Sequence, residues 1–282
     1  MPLDERREAS IQNALKAYRE TVFTHNISLL RILVDRINEQ VPPDGADREE
    51  IRKARLRVVK HHMHGEMGGG DEVDDTLFSL HDLLSLSPTS PFAERFCLDG
   101  TSHAAVDSGA VTKAWEKLRE ALNLNRTSED PALQDSEYPN DIPQDLAYLA
   151  TLTSAITRPS MAFDTPHPIT LYPPEEGFDA MEIYDRNEEL DLLSHAFSSW
   201  TIAVAVRVGE PHPDWTPSGV FALYCSKNSG AERRDWQWRY GIHEKYLSTA
   251  LYDSVEDFLT FYATFGRETA EDMQEVIVDL EI

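Results

Sequence analysis

Three runs in the second half of the chain alternate with a period of two and follow one another without an intervening helix. They are SWTIAVAVRVG (199–209), SGVFALYCS (218–226) and DWQWRYGI (235–242). A period of two places successive side chains on opposite faces of a strand. The turn PDWTPSG separates the first two runs, as expected between paired strands. Strands that cluster, instead of alternating with helices, favour an α+β fold over a doubly wound sheet. The expectation is a central, mostly antiparallel sheet flanked by helices.

The flanking text is helical. Within residues 4–41, Ile11, Leu15, Tyr18 and Val22 recur at helical spacing, and Leu29, Leu30, Ile32, Leu33, Val34 and Ile37 form a second apolar face. They read as two helices. The turn VPPDGAD (41–47) stops the second, and Asp47 is a candidate N-cap for a third over about 48–62. Five cations lie between Arg52 and Lys60. Preceded by Asp47, Glu49 and Glu50 at the favoured helix start, they read as a solvated face and not as a nucleic-acid patch. DSGAVTKAWEKLREALNLN (107–125) is a strong helix, and Pro139 and Pro143 lead into another within 138–156. DSVEDFLTFYATFG (253–266) pairs Asp253 with Glu256 as a capping box and stops at Gly266, and VIVDLEI (276–282) is a possible late strand. Glycine runs and SPTSPF punctuate 65–110. The division expected is therefore a helical N-terminal region (1–65), an irregular linker (66–105) and an α+β domain with an acidic tail (106–282).

Charge narrows the partners. The net charge is −24, and it is uneven: residues 1–60 hold 12 Lys/Arg and 10 Asp/Glu, whereas 61–282 hold 14 and 40. Such a body repels phosphate backbones and anionic lipid; its acidity either favours a basic partner protein or serves solubility alone. No stretch approaches eighteen uninterrupted apolar residues, so no membrane span is expected. The start MPLDERREAS leads into no apolar segment, so no secretory signal is expected. Cys97 and Cys225 match no paired spacing, as for reduced thiols inside the cell. The expected location is cytoplasmic, with the nucleus also open.

Catalytic motifs are weak. HHMHGEMGGGDEVDD (61–75) brings His61, His62 and His64 together, and His61 and His64 would share a helix face if the third helix reached them. A metal-dependent hydrolase built on this cluster is an alternative. Yet no H-E-x-x-H is present, and the glycines that follow would hold ligands poorly. Helix-end histidines facing the negative dipole are the simpler reading, so no metal or cofactor is expected. The triglycine lacks the lysine and Ser/Thr of a phosphate loop, and acidic residues follow it. Cys225 lies in an apolar strand, Cys97 has no assignable base, and no G-x-S-x-G occurs. No catalytic residue is assigned. Trp236, Trp238 and Tyr240 alternate with Gln237 and Arg239 and read as a core-facing strand surface. Trp215, in a turn, with Arg233, Arg234 and Tyr246, is the candidate partner-binding set.

Residues 106–266 resemble the SUKH superfamily. The helix AVTKAWEKLREALNL, the proline-led DIPQDLAYLATLTSAI, the strand pair and the closing YDSVEDFLTFYATF follow its pattern, with Ser254, Phe258, Leu259 and Tyr262 in the expected places. Ser154-Ala155 stands where the family usually has Asn-Gly. The resemblance implies a binding module without catalytic machinery, in a regulatory or scaffolding role. A further alternative is a helical oligomerisation protein associating through residues 4–62.

Overall fold

The computed structural model describes residues 3–42, 44–64, 80–102, 109, 111–113, 115–117, 119–120, 143–159, 169–171, 183–184, 193, 195–197, 200–209, 219–226, 237–244, 247–276 and 278. The class is mixed helix and strand, with a helical N-terminus. The chain forms two compact units. One comprises Met1–Lys16, Ser102–Ile156 and His167–Phe261; the other comprises Ala17–Thr101, Thr157–Pro166 and Tyr262–Ile282. Neither unit is one consecutive stretch, unlike the division at 65 and 105 drawn from the sequence. Each is closed by residues far apart in the chain, as the pairing of Arg7 with Asp145 and Glu256 illustrates for the first.

The first 41 residues hold a single helix, α1 (Glu5–Glu39), where two were expected. Asp4 caps it: the Arg7 backbone N–H donates to Asp4 Oδ1 at 2.7 Å. Nothing in FTHNIS (23–28) breaks a helix, since it contains neither Gly nor Pro. The buried positions keep phase through it: Ile11, Leu15, Tyr18 and Val22 lead through Asn26 to Leu29, Leu33 and Ile37. Asn26 bridges the two apolar runs. It is buried, and its amide donates to the Leu98 carbonyl at 3.0 Å.

In the unit holding residues 17–101, Leu30, Leu33 and Ile37 of α1 cluster with Leu56 and Val59 of α2 (Arg48–His64). Leu83 of α3 (Leu80–Leu84), Phe92 of α4 (Pro91–Arg95) and Met273 of the last helix join the same cluster. Residues 80–98, placed in the expected linker, thus supply core side chains. Asp47 accepts from the Glu49 backbone N–H at 2.9 Å and so caps α2 as expected. Gly100 is obligatory: its φ is +75°, and a Cβ there would lie 2.8 Å from the Tyr18 hydroxyl.

The other unit holds α5 (Gln144–Leu152), entered from Pro143, and a five-stranded antiparallel sheet in sequence order. Its strands are β3 (Ile183–Tyr184), β4 (Thr201–Gly209), β5 (Gly219–Ser226), β6 (Gln237–Glu244) and β7 (Leu247–Ser248). A separate pair joins β1 (Ala155–Ile156) to β2 (Ile169–Thr170). The three alternating runs are β4, β5 and β6. Register puts Val206, Ala222 and Tyr240 side by side on one face. Ala205 and Arg239 lie on the other, where Ala205 clusters with Leu193, Phe197 and Leu251. This cover sits close: a Cβ on Gly241 would come 2.5 Å from Leu251 Cδ2.

Two local expectations change. Arg239, assigned to a polar face, is 2% exposed. Its Nε donates to Asp253 Oδ1 at 2.6 Å, and its guanidinium carbon lies 4.3 Å from the centroid of the Trp200 ring. The start of α6 (Val255–Tyr262) is capped one residue later than expected: Ser254 Oγ accepts from the Asp257 N–H at 3.1 Å and donates to the Asp257 carboxylate at 2.7 Å. Asp253 and Glu256 are thereby free of capping duty and bind arginines. The tail forms a helix, α7 (Ala270–Glu275), with a Thr269–Asp272 capping box. Val276 is its C-cap, and the rest of the expected late strand lies largely outside the described residues.

Candidate functional site

Trp215, Arg233, Arg234 and Tyr246 lie outside the described residues, as do Trp236, His103 and Asp107. Of HHMHGEMGGGDEVDD, only the backbone of residues 61–64 is described; it completes the last turn of α2, and His61, His62 and His64 therefore share a helix. Among the described residues, no three of His, Cys, Asp and Glu gather where they could hold a metal ion. Cys97 is half-buried, with a positive φ of 47°. Trp238 is half-buried and Tyr240 buried.

The most developed polar arrangement in the sheet-bearing unit was not read from the sequence. It forms where three helix starts converge. Arg7 lies in the first turn of α1, Asp145 is the second residue of α5, and Glu256 is the second residue of α6. Each carboxylate sits where unpaired backbone N–H groups and the helix dipole favour negative charge. The guanidinium of Arg7 lies between them. Its Nε is 3.2 Å from each Asp145 oxygen, its Nη2 also donates to Asp145, and its Nη1 donates to Glu256 Oε1 at 2.6 Å. A planar fork of N–H donors suits this arrangement, because two carboxylates can share one delocalised cation.

The surroundings fix the geometry. Ser10, one turn along α1, donates to Glu256 Oε1 at 2.6 Å, and Gln12 donates to the Tyr148 hydroxyl of α5 at 2.7 Å. Ile11 and Leu15, on the same helix, are buried. The hydrogen bond to Asp145 is the main cause holding the Arg7 pKa above its ordinary value. The Tyr240 phenol is within electrostatic reach of all three charges. Burial first, then the Asp145 carboxylate, hold its proton on at any physiological pH, with Arg7 opposing.

The site is not sealed. The side chains of Arg7, Asp145 and Glu256 keep 33%, 22% and 17% of their exposure. Glu256 Oε2 is buried and has no hydrogen-bond partner among the described residues. Chemically, the arrangement is a receptor for a guanidinium, and the chain supplies the occupant. Asp145 and Glu256 each have an adequate local explanation as partners of a helix dipole, and separations of 138 and 249 residues leave no local sign that they meet Arg7.

Comparison with known proteins adds no relative: no family model matches, and neither a curated protein nor a solved structure matches the chain. Among the described residues, no helix is long and apolar enough to cross a membrane.

Proposed function

We propose that this protein is a non-enzymatic interaction module, regulatory or scaffolding in role, that binds a basic partner protein through a carboxylate-rich surface. One observation carries the reading: several arginines are drawn inward while many carboxylates face solvent. Arg207 and Arg239 are buried, and Arg7, Arg19 and Arg36 are half-buried and bound to Asp145 and Glu256, to Thr101, and to the Met273 carbonyl respectively. Asp253, Asp257, Glu271, Asp272 and Glu275 are exposed. The net charge of −24 leaves the surface strongly negative. Complementary charge accelerates encounter and rejects acidic partners.

The finer fold reading is SUKH-like, with a central antiparallel sheet. An antiparallel meander followed by a helix whose Phe258, Leu259 and Tyr262 are buried and whose cap is Ser254 supports it. The cytoplasm is the proposed compartment, and its support is the cysteine usage of the sequence.

Titration against two reference proteins of similar size, one basic and one acidic, at low and high salt tests this reading. Binding of the basic protein alone, weakening steeply with salt, is the expected outcome. Equal binding of both, or binding indifferent to salt, would remove the electrostatic basis.

A further inference from the structure

Asp145 and Glu256 reach one guanidinium from two different helices, with Ser10 orienting Glu256. The guanidinium belongs to the third residue of α1, whose first turn is held by Asp4 close to the start of the chain. All of these residues lie in one compact unit. The bridged side chains retain partial exposure, and the buried Glu256 Oε2 has no hydrogen-bond partner among the described residues. These features describe a formed arginine receptor occupied by the chain's own side chain.

We infer that Arg7 is an intramolecular stand-in for an arginine of the basic partner, and that binding exchanges one guanidinium for the other at Asp145 and Glu256. The inference rests on the proposed binding of a basic protein and assigns that binding a place and a residue type. Arginine, not lysine, is the residue recognised, because a point-charge ammonium cannot bond Asp145 through two nitrogens while also reaching Glu256. Arg7 then acts as a restraint: a partner meets the receptor only in the fraction of molecules whose Arg7 has swung out. If that fraction is about one-tenth, the apparent affinity is about tenfold below the intrinsic one. A chain this acidic attracts any polycation, so the restraint at Arg7 has to be separated from general attraction.

The probe is an octa-arginine peptide, titrated at low salt into the full chain and into four variants, with thermal melts recorded in parallel. Arg7→Gln should bind about tenfold tighter than the natural chain by the same arithmetic. Arg31→Gln, the same charge change at an exposed position of α1, should leave affinity nearly unchanged. Asp145→Asn/Glu256→Gln should bind more weakly than Arg7→Gln, and adding Arg7→Gln to that pair should produce no gain. The proposal is overturned if Arg7→Gln binds no tighter than the natural chain, or if Arg31→Gln tightens binding equally. Binding by no form would overturn the basic-partner reading itself and this inference with it. Binding by all forms alike would overturn both the receptor and the restraint, and leave the basic-partner reading standing.

Discussion

The two units solve the burial of polar groups differently. In the one holding residues 17–101, several of the buried polar groups bond to backbone: Asn26 donates to the Leu98 carbonyl, Tyr18 to the carbonyls of Gly100 and Thr157. Asp99 there is a buried carboxylate that accepts from the backbone and hydroxyl of Thr101 and pairs with Arg19 at 3.6 Å. The sheet-bearing unit sets each of two arginines between two partners, with Arg7 between Asp145 and Glu256 and Arg239 between Asp253 and Trp200. A backbone-satisfied polar group fixes one local geometry. A shared cation links elements distant in sequence, at a desolvation cost that limits its net stabilisation, and a competing cation can replace it. Under the proposal above, exchange concerns the partly exposed Arg7 and not Arg239, which is 2% exposed.

This contrast is broken most severely in the apolar unit. Leu33 is 0% exposed and lies in the cluster built from four helices and the tail, so Leu33→Ala is expected to cost about 2–5 kcal/mol in chemical denaturation. A loss under about 1 kcal/mol would mean that this core is loosely formed. Gly241→Ala comes next. With Leu251 Cδ2 only 2.5 Å from the added carbon, the expected cost is about 1–3 kcal/mol, and Leu251→Ala in the same chain should recover part of it.

Such positions show what could be read from the residues alone. The apolar stripe of α1, the cap at Asp47 and the alternation of β4, β5 and β6 are local patterns, and local patterns survive in the structure. The unbroken run of α1 was hidden because Asn26 occupies a core position whose bonding partner, Leu98, lies 72 residues away. Arg239 reads as the polar half of an alternating strand, yet the cover on that side of the sheet includes Trp200, whose ring takes its charge. α7 had a legible signal, the Thr269–Asp272 box, but the acidity of the tail masked it. The Arg7 site had none, since its two carboxylates are each explained as dipole partners at separate helix starts and lie far from Arg7 in the chain.

Smaller effects sharpen the comparison. Glu256→Gln keeps an acceptor for Ser10 and removes one charge from Arg7, so a cost of about 1 kcal/mol is expected, shrinking as salt rises. A salt-independent loss would show that packing, not the ion pair, is at stake. The smallest effect is pH dependence. Burial holds His25 and His243 below the ordinary value of 6.5, so between the lowered values and 6.5 the folded chain binds fewer protons than the unfolded one. Their contribution is complete above pH 6.5 and is lost as pH falls through the lowered values. His25→Gln/His243→Gln should flatten melting temperature against pH in that window; an unchanged slope would place the dependence elsewhere.

The most direct test of a basic-partner module is capture of proteins from source-cell lysate on the full chain, with release by octa-arginine and, separately, by salt. The expected result is a reproducible basic protein, released by both treatments and retained more strongly by Arg7→Gln. A captured protein that is acidic, or that withstands both peptide and high salt, would contradict binding through the carboxylate surface.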